Sequence, residues 1–301
     1  MTHSTTDTTV QAGRDTLEAA GRLVDRWMAD EVNWSSLPPQ LAEAAQYGVL
    51  GGGKRLRPAL VLSCCKAVGG CDEDALPAAA AIEFVHCFSL VHDDLPALDD
   101  DDLRRGRPTL HVHAGEPMAI LAGDLMLAMA FGLLADAQCA ADVRASLVGE
   151  LAHGTSDMVA GQVYDTLGGL PDALNAIDQV RLVHRNKTGA LIRAACRMGG
   201  RCGGADAASL DALTRYGEAM GLMFQIVDDM LDVTQPAEHV GKATGKDAAS
   251  GKRTYPGVLG TSACHDEVNR LRDEAVAAVT ALGPAASPLA CLAELMAVRT
   301  R

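Results

Sequence analysis

Aromatic side chains are scarce in this chain: four phenylalanines, four tyrosines and two tryptophans in 301 residues. Strands draw on aromatic and β-branched residues for cross-strand packing, and no alternating apolar run suggests a sheet anywhere. Alanine and leucine dominate the 48% apolar content, which favours closely packed helices. Positive charge is also in deficit. With 26 Lys+Arg against 39 Asp+Glu the net charge is -13, which argues against nucleic acid as a partner. The nine cysteines are odd in number and include no CxxC, so they read as reduced thiols rather than a disulfide framework. The opening MTHSTTDTTV lacks the apolar core of a secretory signal. The most membrane-like run, Met118–Leu134, is interrupted by Asp124 and is short for a span. The expectation is a soluble, cytoplasmic protein with no transmembrane segment. No Ser-His-Asp order, G-x-S-x-G or metal-binding His pair occurs, so acyl transfer and zinc hydrolysis have no support.

What the chain does have is acid in one place. Asp93–Arg107 reads DDLPALDDDDLRRGR, six carboxylates in ten positions followed by three arginines. Carboxylates this dense repel one another and resist leaving water, so they are either solvated or neutralised by cations. Apolar helical patterns flank the stretch, Ile82–Val91 before it and Met118–Leu134 after it. Acids between core helices, with no thiolate nearby, suit a hard cation such as Mg2+. A solvated acidic turn is the alternative.

The remaining segments read in order as helices. Residues up to about Gln11 are threonine-rich and expected to be disordered. The first helix then begins near Asp15, and Leu41–Val49 forms a second. Gly48 to Lys54 matches Gly-x4-Gly-Lys, but Arg55 stands where a P-loop needs Ser or Thr and no strand precedes it. The segment instead reads as a glycine turn presenting Lys54, Arg55 and Arg57 at the mouth of the next helix, where an anion is favoured. Leu76–His92 carries His86 seven residues before Asp93, on the same helical face. Later helices are expected over Ala140–His153, Met158–Asp165, Asp178–Gly189, Leu191–Met198 and Ala207–Asp232, then His265–Leu282 and Pro288–Val298. No linker marks a second domain, so residues 1–301 are read as one.

A second acidic group, Asp228-Asp229-x2-Asp232, lies in a helix. Asp228 and Asp232 are four apart and Asp229 and Asp232 three apart, so they share a face among apolar neighbours. The following loop, Pro236–Tyr255, carries Lys242, Lys246, Lys252 and Arg253. Two aspartate-rich faces bordered by cations, over an apolar wall, suit a diphosphate held through Mg2+ with a hydrocarbon tail.

On these motifs the chain resembles the all-trans polyprenyl diphosphate synthases, the farnesyl and geranylgeranyl diphosphate synthase family. The resemblance runs roughly from Leu41 to Gly260. It includes Gly52–Pro58, His92-Asp93-Asp94-x4-Asp99 with Arg104-Arg105-Gly106, Gly161-Gln162-x2-Asp165, Lys187-Thr188-Gly189 and Phe224-Gln225-x2-Asp228-Asp229-x2-Asp232. It implies an all-α fold, a single helical bundle of the isoprenoid synthase type around a central cavity, normally a homodimer. It further implies that Asp93, Asp94, Asp99, Asp228, Asp229 and Asp232 hold Mg2+, three ions when substrate is bound. Arg104, Lys187, Gln225 and Lys242 would contact the allylic diphosphate, supported by Thr188 and Lys252. Lys54, Arg57, His86 and Arg105 would bind isopentenyl diphosphate.

Product length is expected to depend on Phe88 and Ser89, five and four residues before Asp93. The bulky Phe88 resembles enzymes making the C15 product, so farnesyl diphosphate is the expected product, with the C20 geranylgeranyl diphosphate as the alternative. A class I terpene cyclase fits less well, because its second metal motif is Asn/Ser/Glu-type and it has no use for cations at Lys54 and Arg57. A non-catalytic prenyltransferase subunit would be expected to have lost aspartates, and both clusters are intact.

Overall fold

The structure, a computed structural model, describes residues 2–234 and 253–298, with side chains from Asp7 to Val233 and from Arg253. Thirteen α-helices account for nearly all of the described chain. In order these are α1 (Thr2–Glu31), α2 (Pro39–Val49), α3 (Leu56–Ala67), α4 (Asp72–Asp93), α5 (Leu110–Ala114), α6 (Glu116–Ala135) and α7 (Ala141–Thr166). They continue as α8 (Ala176–His184), α9 (Ala190–Cys202), α10 (Ala207–Thr234), α11 (Tyr255–Leu259), α12 (Thr261–Thr280) and α13 (Ser287–Val298). The expected all-α bundle is therefore the observed one.

Helix α4 organises the bundle, packing on α3 and α6, and α9 lies among α3, α4, α7 and α10. Its start is well specified: Asp72, Glu73 and Asp74 occupy the first turn, where the helix dipole favours acid, and Asp74 accepts from the Cys71 amide. Small residues Ala78 to Ala81 then let neighbouring helices approach, and Ile82, Phe84 and Val85 are fully buried. Across the interface, Leu60, Leu191 and Ile192 are equally enclosed, and the buried Tyr216 donates its hydroxyl to the Leu289 carbonyl at 2.8 Å. Among the described residues two helices, α4 and α6, are long and apolar enough to cross a membrane by length and composition, but α4 is core. Helix α6 keeps Ile120 and Leu121 exposed.

Several local expectations change. Helix α1 runs from Thr2, so the stretch expected to be disordered up to Gln11 is helical. Just beyond that stretch α1 packs closely on α13: a Cβ on Gly13 would lie 2.4 Å from the Cys291 carbonyl oxygen. The expected break inside α7 is absent. Gly154 is instead the point where α7 touches α9, its notional Cβ 2.8 Å from that of Ala194. Helices α8 and α9 are joined by a π-helical turn, Arg185–Gly189. A two-residue antiparallel pair also exists, β1 (Leu103–Arg104) with β2 (Arg107–Pro108), in the register Leu103↔Pro108 and Arg104↔Arg107. Its turn places Arg105 and Gly106 at φ 55° and 71°, both positive as a tight hairpin of this hand demands.

Candidate functional site

The first aspartate group sits where α4 ends. The Asp99 amide donates to the Asp93 carbonyl at 2.9 Å and the Asp101 amide to the Asp94 carbonyl at 3.2 Å, folding the acidic loop back on the helix end. Adjacent residues on a helix point about 100° apart, and the two aspartates accordingly face different partners. Asp94 is buried and gripped by Arg104, whose Nε lies 2.8 Å from both carboxylate oxygens and whose Nη2 lies 2.5 Å from Oδ1. Neither Asp93 nor Asp99 makes a side-chain hydrogen bond to a described residue. Burial, together with the charges of Asp99 and Asp94, pushes the Asp93 carboxyl up to about 6, against the pull of Lys187 and Arg104.

The second group, on α10, divides the same way. Asp229 is buried and accepts from Gln225 Nε2 at 3.0 Å and from the Tyr255 backbone amide at 3.0 Å. His184, whose ring stacks on Tyr255, lies 3.5 Å from Asp229. Burial first, and Lys187 next, bring that imidazole down to about 3 despite Asp165, so it is neutral. Asp228 is exposed and Asp232 half-buried, and neither side chain bonds a described residue. They stand four apart on one face.

The π-turn ties the two halves together. Lys187 pairs with Asp165 at 2.6 Å and its charge acts on Asp93, while Thr188 donates to Gln225 at 2.8 Å and Gln225 in turn holds Asp229. A basic patch borders the first group. Four arginines, Arg57, Arg105, Arg104 and Arg55, reinforce burial in holding His86 well below its ordinary range, so that ring is also neutral. Arg57 carries a buried Nε with no partner, and burial and Arg105 lower its affinity for a proton against the opposing Glu83. Arg105 donates to the Gly52 carbonyl. Its guanidinium fills the space a side chain at residue 53 would need, and Gly53 sits at φ 139°, so both space and backbone call for glycine there. Lys54 is exposed at the same turn.

Not every residue of the basic turn belongs to this patch. Arg55, expected at the mouth of α3, is buried beneath it. It pairs with Glu83 and Asp25, each at 2.7 Å, and donates to the Val49 carbonyl at 2.7 Å. Burial opposes its charge, but these two acids, Glu83 first, raise its proton affinity. The sequence signal for this pair was Glu83, a lone acid inside the apolar run of α4. His184 and the Tyr255 amide were also missed, because a ring packing and a backbone contact carry no motif. Ser89 is half-buried and donates to the His86 carbonyl at 2.9 Å, while Phe88 is 8% exposed and meets His92 edge-on at 5.6 Å. Lys242 and Lys252, expected on the allylic diphosphate, lie outside the described residues.

Two further features bear on where chemistry can occur. A cleft of ≈ 400 Å³ between α7, α9 and α10 is lined by Glu150, Asp157, Arg193 and Arg197. Its charges are already matched, Arg197 to Glu150 and Arg193 to Asp157, and no aspartate of either group reaches it. Among the described residues no three His, Cys, Asp or Glu side chains converge as a ready-made metal cage. The open donors are carboxylate oxygens in two pairs, Asp93 with Asp99 and Asp228 with Asp232. Mg2+ is commonly held by one or two carboxylates and completes its shell with water and substrate phosphate, so the residues present fit it.

Known proteins resemble the chain over most of its length. Residues 38–281 match the family described as Polyprenyl synthetase. The chain is 41% identical over 273 residues to geranylgeranyl pyrophosphate synthase 11, chloroplastic, of Arabidopsis thaliana, covering 87% of this chain and 75% of that one. Its fold superposes on an apo FPP/GFPP synthase of Zymomonas mobilis with a TM-score of 0.81 at 32% identity, over 94% of this chain and 98% of the other. It also superposes on a geranyltransferase of Helicobacter pylori complexed with magnesium and isoprenyl diphosphate, at TM-score 0.79 and 32% identity, over 92% and 94%.

Proposed function

We propose, on the premise that the chain belongs to the polyprenyl synthetase family and is a prenyltransferase, that it condenses isopentenyl diphosphate with an allylic diphosphate to give geranylgeranyl diphosphate. The observation that carries the reaction is that, in each adjacent pair, Asp93-Asp94 and Asp228-Asp229, one carboxylate is held by the protein and the other is open. Asp93, Asp99, Asp228 and Asp232 would hold Mg2+, while Asp94 and Asp229 keep their helix ends in place through Arg104, Gln225 and Tyr255. Bound Mg2+ supplies neutralisation of the charge that develops on the departing diphosphate. Lys187 faces the same charge, and Thr188 and Gln225 orient the wall beside it.

The arginine patch serves the second substrate. Lys54, Arg57 and Arg105 bind the isopentenyl diphosphate, beside a neutral His86 that donates without adding charge. The isopentenyl double bond attacks carbon 1 of the allylic partner as its diphosphate leaves. The resulting cation loses a proton to that released diphosphate, so no side chain need act as base.

For product length, relatives named geranylgeranyl pyrophosphate synthases support C20, which replaces the C15 expectation. Helix geometry gives a reason. At about 100° per residue, Ser89 lies within about 40° of Asp93 one turn below it, whereas Phe88 lies about 140° away. The residue beneath the open aspartate is therefore small, and Phe88 is turned onto His92. The exposed apolar residues Ile120 and Leu121 of α6, with Val159 and Val163 of α7, support a homodimer through these helices. The test is incubation with labelled isopentenyl diphosphate, Mg2+ and each allylic starter, read as product carbon number. A C20 product is expected. A C15 end product overturns the length assignment, and no incorporation overturns the reaction.

A further inference from the structure

The π-helical turn Arg185–Gly189 is held between two glycines that no functional group explains. A Cβ on Gly161, in the second-last turn of α7, would lie 2.1 Å from the Lys187 amide nitrogen and 2.6 Å from the Lys187 Cα. A Cβ on Gly221, in the middle of α10, would lie 2.6 Å from the Gly189 Cα. Both glycines occupy helix interiors, where glycine costs roughly 1 kcal/mol relative to alanine. They are kept against local preference, at the two points where neighbouring helices close on the π-turn backbone.

What the clamp positions is chemical. A π-turn shifts the register of the helix, so side chains on either side of it leave the simple 100° succession. Within this one, Lys187 reaches Asp165 of α7 at 2.6 Å and Thr188 reaches Gln225 of α10 at 2.8 Å. Each contact lands one turn beyond the glycine on the same helix, Asp165 four residues after Gly161 and Gln225 four residues after Gly221. The two helices thus use the same device twice. A bare residue admits the π-turn backbone, and a polar residue one turn on receives its side chain.

We propose that Gly161 and Gly221 are positioning residues for the allylic diphosphate half of the site, setting Lys187 and Thr188 by fixing how deeply the π-turn seats between α7 and α10. The inference rests on the reading above that Lys187 and Thr188 serve the allylic diphosphate. A side chain at either glycine pushes the turn outward and stretches both polar contacts, while the isopentenyl patch on α3 and the β1–β2 hairpin is untouched.

The experiment is steady-state kinetics of Gly161→Ala and Gly221→Ala with geranyl diphosphate and isopentenyl diphosphate varied separately, alongside Thr188→Val and the double variant Gly161→Ala/Thr188→Val. Losing a charged or hydroxyl contact of this kind is expected to raise KM for geranyl diphosphate roughly tenfold, with KM for isopentenyl diphosphate changed less than about twofold. The double variant is expected to be no worse than Gly161→Ala alone, because the outward shift of the turn in Gly161→Ala already breaks the Thr188–Gln225 contact. Gly221→Ala, with the milder obstruction, serves should Gly161→Ala fail to fold. Equal rises in both KM values, or multiplying effects in the double variant, would reduce the glycines to general packing and overturn the proposal. If Thr188→Val leaves the geranyl diphosphate KM unchanged, the assignment of the allylic half itself falls. If Thr188→Val raises it and the glycine variants do not, only the clamp falls.

Discussion

Arg104 grips Asp94 with two guanidinium nitrogens while Asp93, the residue before it, bonds no described side chain. One carboxylate of the pair is thereby committed to structure, and the other is the one proposed to meet the cation. Arg104→Lys keeps the charge but loses the fork that a carboxylate matches. Turnover is expected to fall about 10- to 100-fold with the helix content unchanged, measured by product formation and circular dichroism. Near-normal turnover would show that the fork does not matter.

Arg55 and Lys54 are neighbours with opposite fates. Removing one partner of a buried ion pair leaves the other charge uncompensated, so Arg55→Ala is expected to cost about 3–5 kcal/mol in denaturant unfolding. Lys54→Ala is expected to change stability by less than about 0.5 kcal/mol, as exposed substitutions do, yet to weaken isopentenyl diphosphate. Should the two variants unfold alike, Arg55 has been wrongly assigned to the core.

Asp93 gives a pH signature in the metal-free protein. Its folded value of about 6 lies above the ordinary 3.8, so the folded state holds this proton more tightly than the unfolded chain. Stability from this group is complete below about pH 4 and is lost as pH rises through 6. In the presence of a chelator at pH 7, Asp93→Asn is expected to be more stable than the parent by on the order of 1–3 kcal/mol, and inactive once Mg2+ is restored. Because the lowered imidazoles of His86 and His184 add stability over the same range in both proteins, the readout is the difference between the Asp93→Asn and parent melting curves from pH 4 to 7, and a difference that does not widen with pH would contradict it.

Ser89 is the position at which chain length is expected to be alterable. A ring introduced by Ser89→Phe lies under Asp93 and is expected to shift the product from C20 to C15 on chromatography. An unchanged product would move the floor of the tail pocket to another helix.

The exposed apolar face of α6 is expected to be covered by a second copy. Leu121, 56% exposed, is replaced by a charge in Leu121→Arg, and light scattering is expected to show a monomer where the parent is a dimer. A parent that is already monomeric would dismiss this interface.

The sequence by itself determined the helical class, because alanine and leucine at helical spacing, with few rings and no alternation, leave no sheet to build. It also singled out the candidate carboxylates, since Asp93–Asp102 and Asp228–Asp232 are dense enough that only a cation or full hydration can accommodate them. Only the tertiary structure decided how each pair divides. Whether Asp94 or Asp93 faces Arg104 depends on where α4 stops and how the acidic loop folds back on it. The burial of Arg55, the hairpin that separates Arg104 from Arg105, and the π-turn seated between Gly161 and Gly221 were likewise beyond the sequence. Each arises from contacts between residues far apart in the chain, and periodicity records only which face a residue occupies, not what stands opposite it.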